Sequence, residues 1–303
     1  MIYVILSVLA SAAMAAIFKF TEGRNLNRNF ITTINYATAV IVSLISISEA
    51  KIEVIFSPAS ISAFFDEISI FLSGGHFSVQ AVSVFAIILG AFTGILYFIG
   101  IIAMQLSVRD YGAGLAGMFS RAGMIIPILL SIVIWKEFPS PFQWIGIVLA
   151  LIGVILANMQ PDKAAKKFTI RLTLLLQFIT SGLSGLMSKT FQTYGIIDYR
   201  NVFLLSVFTS AFIISLIYTY KTPKSWGFQE LLSGFLVGVF NQLSATFLLL
   251  ALNSLPAPIV YPLISAGSIV LINIMGMAFF KERLKRHELI AVGLTVIAVL
   301  ILS

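Results

Sequence analysis

No cysteine occurs in the 303 residues, so disulfides and thiolate metal sites are excluded and the redox compartment leaves no trace. Charge is almost as scarce: 10% of the residues are charged, against roughly 25% in a soluble domain. Histidine is limited to His76 and His287, far apart and between apolar runs, so no metal site is supported. No carboxylate stands in the middle of an apolar run, and neither paired aspartates nor histidine clusters stand at the end of one. A membrane enzyme acting on lipids needs such a constellation, so no catalytic residue is assigned. No stretch between the runs is long enough for a soluble domain.

What the chain has instead is apolar length. Hydrophobic residues make up 59% of it and the mean hydropathy is +1.04. A bilayer-spanning helix needs about 20 mostly apolar residues. Ten runs qualify, near 2–18, 30–48, 79–106, 113–135, 141–159, 169–188, 200–219, 228–252, 256–280 and 288–303. The expected fold is all-α, integral and multi-pass, with ten transmembrane helices in the cell membrane. The first run has no basic n-region or cleavage site and reads as a retained helix, not a signal peptide.

The net charge of +7 is explained by loop residues against an anionic leaflet, so no nucleic-acid partner is expected. Loops 1–2, 3–4, 5–6, 7–8 and 9–10 hold most of the lysines and arginines. The alternate loops hold Lys51, Lys136, Lys189 and Arg200. By the positive-inside rule the basic loops face the cytoplasm and both termini lie outside.

The chain also echoes itself. Lys19 is followed by Arg28-Asn29, and Lys189 by Arg200-Asn201. Ser120 precedes Lys136-Glu137 by the same interval as Ser265 precedes Lys281-Glu282. The polar stretch 158–167, NMQPDKAAKK, reads as a linker between a first repeat, 1–157, and a second, 168–303. Five spans per half is an odd number, so the halves insert in opposite senses as an inverted repeat, the ground plan of many carriers.

One long connection, 49–78, carries Ile61, Phe64, Phe65, Ile68, Phe71 and Leu72 at helical spacing. Ser57-Pro58 before it and Ser73-Gly74-Gly75 after it mark the ends of a short amphipathic helix near 58–73. Its readings are an interfacial helix on the outer leaflet or a gate over the substrate path.

The junction Lys136-Glu137-Phe-Pro-Ser-Pro-Phe-Gln143-Trp-Ile-Gly146 and its partner Lys281-Glu282-Arg-Leu-Lys-Arg-His287-Glu288-Leu-Ile-Ala-Val-Gly293 each put a glutamate, a short loop and a glycine-containing helix in order. Both resemble the closing elements of each half in the drug/metabolite transporter superfamily, in particular its EamA-like branch. The region from Lys19 to Arg28 is similar to that family's first hairpin. The resemblance covers essentially the whole chain and implies export of amino acids, related metabolites or drugs. It departs from the family in the long 49–78 loop and at Leu300, which stands where the first half has Gly153. Related carriers are placed with cytosolic termini, opposite to the charge count.

Arg121 is the one charge well inside a span. Burying an arginine there costs about 2.5–3.5 kcal/mol on insertion scales, so such residues face a bundle interior or a wet cavity. It reads either as a clamp for a substrate carboxylate or phosphate, or as a structural arginine that snorkels or pairs with Asp110 or a helix end. Gln177, Ser181, Ser184 and Ser188 share one face of span six, as a cavity wall or as close-packing polar glue. Asn241 and Gln242 sit mid-span in span eight, where unpaired amides are costly. Tyr261, Ser265 and Ser268 share a face of span nine, whose first turns Pro256, Pro258 and Pro262 are expected to loosen. Ser120 and Ser265 occupy matching repeat positions, which points to a binding site between spans four and nine. Tyr97 and Gln105 in span three are weaker candidates. Lys19 and Lys189 read as interfacial anchors. Glu137 and Glu282 read as solvated pairs or loop organisers.

Gly112-Ala-Gly114-Leu-Ala-Gly117 fits a dinucleotide fingerprint, but apolar spans flank it where a strand is required, so it reads as helix packing. The expected function is secondary transport of small polar metabolites or amphipathic organic solutes by alternating access. A non-transporting scaffold, a lipid-modifying enzyme and a channel are the rivals. The expected partners are a small-molecule substrate, the lipid bilayer, and a coupling ion (a proton or sodium) or an exchange substrate. The chain acts as a monomer or homodimer, with no cofactor.

Overall fold

In lipid, backbone N–H and C=O groups find no water, so a spanning segment has to satisfy them within itself, and this chain does so with helices. A computed structural model describes residues 1–21, 24, 26–111, 113–158, 172–221, 227–280 and 286–302. The linker residues 159–167, the pair Lys281-Glu282 and Gly112 lie outside the described residues. The helices are α1 (Ile2–Thr21), α2 (Arg28–Glu49), α3 (Pro58–Asp66), α4 (Ile70–Ser73), α5 (Val79–Tyr111), α6 (Ala113–Ala122) and α7 (Ile125–Trp135). They continue with α8 (Pro141–Asn158), α9 (Leu172–Tyr194), α10 (Arg200–Lys221), α11 (Phe228–Ser254), α12 (Ala257–Phe280) and α13 (Arg286–Leu302). No strand occurs among the described residues, so the glycine run ending at Gly117 opens α6 with no strand before it.

Helix is found in every apolar run, and two departures matter. The fourth run is not one helix but two, α6 and α7, parted at Gly123-Met124. Pro127 supplies the reason. It has no N–H to return to the Gly123 carbonyl, which takes the amide of Ile126 at 3.0 Å instead, while Met124 N reaches the Arg121 carbonyl at 3.2 Å. The helix therefore tightens and breaks just before the proline. The ninth run was expected to be loosened and is not: α12 runs unbroken through Pro262. Pro256 precedes that helix and Pro258 lies in its first turn, where a missing N–H costs nothing, so only Pro262 removes an internal bond.

Six helical segments among the described residues are long and apolar enough to cross a membrane by length and composition: Arg28–Glu49, Val79–Tyr111, Ala116–Trp135, Ile197–Lys221, Phe228–Ser254 and Ala257–Met275. Ile2–Phe18, Pro141–Leu156 and Leu289–Leu302 are shorter apolar helices. The 23-residue α9 is long enough but is not one of the six, because its apolar run is interrupted by Gln177, Ser181, Ser184, Ser188 and Lys189.

The chain forms two compact units, and neither is a contiguous stretch. The first gathers Met1–Ala12, Ile99–Leu186 and Leu255–Ser303. In it α8 and α13 pack antiparallel at close quarters, Gly146 against Leu302 and Gly153 against Thr295, where any Cβ would come within 2.7–2.8 Å of the facing side chain. The second gathers Ala13–Phe98 and Met187–Ser254. Its frame is α2 against α10 and α11.

The amphipathic segment belongs to this second unit and is two helices, not one. Ser57 and Ser60 cap α3 reciprocally, Ser60 N donating to Ser57 Oγ at 3.2 Å and Ser57 N to Ser60 Oγ at 2.8 Å, with Pro58 at the first helical position. Phe64 and Phe71 both pack on Phe77, at 5.4 and 5.5 Å between ring centres, and Phe71 meets Tyr194 at 5.0 Å. Tyr194 then closes the arrangement, its hydroxyl donating to the Phe71 carbonyl at 3.2 Å and its own carbonyl accepting from Phe77 N at 2.8 Å. Phe65, Ile68 and Leu72 stay exposed on the other side.

Candidate functional site

The sequence candidates divide between the two units. Ser120, Arg121, Gln177, Ser181, Ser184, Tyr261, Ser265 and Ser268 fall in the first, with Gln105, whereas Tyr97, Ser188, Asn241 and Gln242 fall in the second.

In the first unit the break in the fourth run positions the central group. Arg121 sits on the last turn of α6, and its Nη1 donates to the Ser265 carbonyl of α12 at 3.1 Å. Among the described residues no carboxylate pairs with it. Asp110, one of the partners considered for it, accepts from Arg109 at 2.9 Å. The neighbouring carbonyl, Ser120 O, accepts from Ser181 Oγ of α9 at 2.7 Å. So α6 is held on one side by α12 and on the other by α9. At the break, Gly123 lies so near α9 that a Cβ there would stand 2.7 Å from the Phe178 carbonyl and 2.9 Å from Gly182 N. Above that level Tyr261 of α12 donates from its hydroxyl to the Gly185 carbonyl of α9 at 2.6 Å.

At these matching repeat positions, Ser120 and Ser265, it is the backbone carbonyls that are engaged. The expected serine wall on α9 is mixed: Ser181 bonds Ser120, and Ser184 Oγ bonds back to the Thr180 carbonyl at 2.6 Å. Two members differ. Gln177 is 2% exposed, and neither its Nε2 nor its Oε1 has a hydrogen-bond partner among the described residues. Ser268 is 3% exposed and its Oγ has none either. Gln177 lies one turn before Ser181 on α9, and Ser268 one turn after Ser265 on α12, so both flank the Arg121 level.

In the second unit the mid-span amides Asn241 and Gln242 are answered by neighbouring polar groups. Asn241 Nδ2 donates to Asn35 Oδ1 at 3.1 Å, and Gln242 Nε2 to Ser43 Oγ at 3.0 Å. Thr246 donates to Gln242 Oε1 at 2.9 Å, and Thr33 Oγ1 lies 2.7 Å from Ser215 Oγ. All but the Thr246–Gln242 bond, which lies within α11, are interhelical and tie α2 to α10 and α11. Tyr97 packs edge-on to Phe208 at 6.3 Å, and Ser188 is buried. Lys189 is 3% exposed and donates to Gln192 Oε1 at 2.6 Å, so it is an interior lysine and not an anchor at a lipid surface.

Two glutamates organise helix starts, one of them, Glu230, absent from the sequence reading. Glu137 Oε2 accepts from Ala257 N, the first residue of α12, at 2.9 Å, and so acts as an organiser of that helix start. Glu230, buried at the start of α11, accepts from Gly227 N at 3.0 Å and from Asn27 N, at the cap of α2, at 3.3 Å. Its signal was the glutamate three residues into the run, the place of a capping-box acid.

Apolar helices in this number define a multi-pass membrane protein. The family model of the EamA-like transporter family matches residues 1–159, more than half of the chain. The chain belongs to the EamA-like transporter family, within the drug/metabolite transporter superfamily. Residues 203–295 match the Small Multidrug Resistance protein family. The chain is 26% identical over 198 residues to an uncharacterized protein of Haemophilus influenzae, covering 61% of this chain and 64% of that one, which is under two thirds of its length. It is 33% identical over 85 residues to the uncharacterized membrane protein YvaE of Bacillus subtilis, covering 28% of this chain and 71% of that one. A protein of known crystal structure superposes with a TM-score of 0.70 at 11% identity, over 99% of this chain and 94% of its own, which shows a shared fold.

Proposed function

We propose that this protein is a secondary transporter that moves small polar metabolites or amphipathic organic solutes, amino-acid- or drug-like, in the direction of export. It works by alternating access, with ten spans arranged as two inverted five-helix repeats, 1–157 and 168–303, joined by the 158–167 linker. Membership of a transporter family supports the class. The observation that carries the site is Arg121, held at a helix break by the Ser265 carbonyl alone and paired with no carboxylate among the described residues. An interior cation of that kind binds a group that arrives with the opposite charge. The substrate layer is Arg121 with Ser120, Ser181, Ser265, Tyr261, Gln177 and Ser268. Reconstitution into proteoliposomes, with flux or exchange measured across a broad metabolite panel, tests the reading. Substrate-dependent flux is expected, and its absence across the panel would sink the proposal.

A further inference from the structure

The polar layer of the first unit is one-sided in charge. Arg121 supplies a fixed cation, and among the described residues nothing anionic accompanies it. Of the acids in that unit whose side chains are described, Asp110 is held by Arg109 at the end of α5, and Glu137 is bound to the start of α12; Asp162, Glu282 and the Glu288 side chain lie outside the description. What flanks Arg121 is neutral and unused. Gln177 offers a donor and an acceptor, Ser268 a hydroxyl, and all three atoms are buried without a partner among the described residues. Leaving such groups unmet costs about 1–3 kcal/mol each, which marks a site completed by something outside the chain.

The two halves of that chemistry ask for different things of a ligand. A guanidinium takes a carboxylate in bidentate fashion. A primary amide and a hydroxyl take a hydroxyl or an amide. An ammonium brought into the same layer would be desolvated beside a like charge, with no carboxylate to receive it. We infer that the site selects solutes that carry a carboxylate together with an uncharged hydrogen-bonding group, and rejects the same skeleton when that group is an ammonium. The inference rests on the transporter reading above and narrows its substrate range to hydroxy acids and N-acylated acids over free amino acids.

Three probes with one carbon skeleton test it: 2-hydroxy-4-methylpentanoate, N-acetylleucine and leucine. Binding to the purified full-length protein is read as the ligand-dependent rise in Tm, and flux as counterflow in proteoliposomes. The first two are expected to bind roughly tenfold or more tightly than leucine, since a site built around a specific polar group rejects the wrong one strongly. Arg121→Gln is expected to weaken binding of 2-hydroxy-4-methylpentanoate and N-acetylleucine roughly tenfold to a hundredfold. Gln177→Glu places a carboxylate in the layer and is expected to shift the preference towards leucine, and Ser268→Asp serves the same end should that variant fail to fold. Leucine binding as tightly as the other two would overturn the selectivity, as would failure of both carboxylate probes to bind at millimolar concentration. Selective binding without flux would instead remove the transporter reading and leave the selectivity intact.

Discussion

Glu137 receives the first amide of a helix 120 residues away: its Oε2 accepts from Ala257 N at 2.9 Å, at the start of α12. A carboxylate at a helix N-terminus answers an otherwise unsatisfied N–H and opposes the positive end of the helix dipole. Glu137→Ala is expected to lower the unfolding free energy by about 0.5–2 kcal/mol, and Glu137→Gln, which keeps an acceptor, by less. Denaturation of the two purified variants in detergent would show this order, and equal stability to the parent would discard the capping role.

Replacing Arg121 should change ligand binding more than it changes the fold. It makes one described hydrogen bond, to Ser265. Arg121→Gln is expected to cost an anionic substrate about 1.5–3 kcal/mol of binding, roughly tenfold to a hundredfold. Arg121→Lys keeps the charge without the fork and should fall between. Unchanged transport kinetics at normal expression would remove the clamp from the mechanism.

Two buried glutamines should answer the same substitution in opposite ways. Gln242 is bonded at both ends, to Ser43 and Thr246, so Gln242→Leu is expected to destabilise the fold by about 1–3 kcal/mol. Gln177 is bonded at neither, so Gln177→Leu should leave stability unchanged or raise it while weakening ligand binding. Parallel melting curves and ligand titrations separate the two. A loss of stability in Gln177→Leu matching that in Gln242→Leu would assign Gln177 to packing.

Gly123→Ala should be costly for a reason that has nothing to do with ligands. A methyl there meets the Phe178 carbonyl at 2.7 Å and Gly182 N at 2.9 Å, both backbone atoms that cannot swing away. Overpacking of this kind costs about 1–3 kcal/mol. A variant with the parent's melting temperature would show that α6 and α9 do not approach this closely.

The ten apolar runs, the start of α3 and the Arg121 problem were legible because each rests on local composition: apolar length, a serine-proline start, a charge where none is affordable. The break between α6 and α7 was written in Gly123 and Pro127, but Pro256, Pro258 and Pro262 drew attention to the wrong run. A proline near a helix start is harmless, and only the distance from the start tells the two cases apart. Spacing put Gln177 in one stripe with Ser181, Ser184 and Ser188, and Asn241 beside Gln242. It could not say which amides find partners across helices, since Ser43 is 199 residues from Gln242. Lys189 was misread for the same reason: nothing local distinguishes a lysine that reaches the interface from one covered by its neighbours.

The way the units are assembled has a bearing on how the molecule is made. Met1–Ala12 is synthesised before any of the second unit, yet the unit that holds it is completed only when Leu255–Ser303 has been synthesised. Ala13–Phe98 needs nothing beyond Ser254. Chains generally fold in the order of their synthesis, so here the second unit closes while the opening turns of α1, the donor Arg121 and the acceptors that await Tyr261 and Ala257 stand without their partners in the bilayer. Biogenesis is therefore a race between a finished half and a waiting one, decided by how soon α12 arrives.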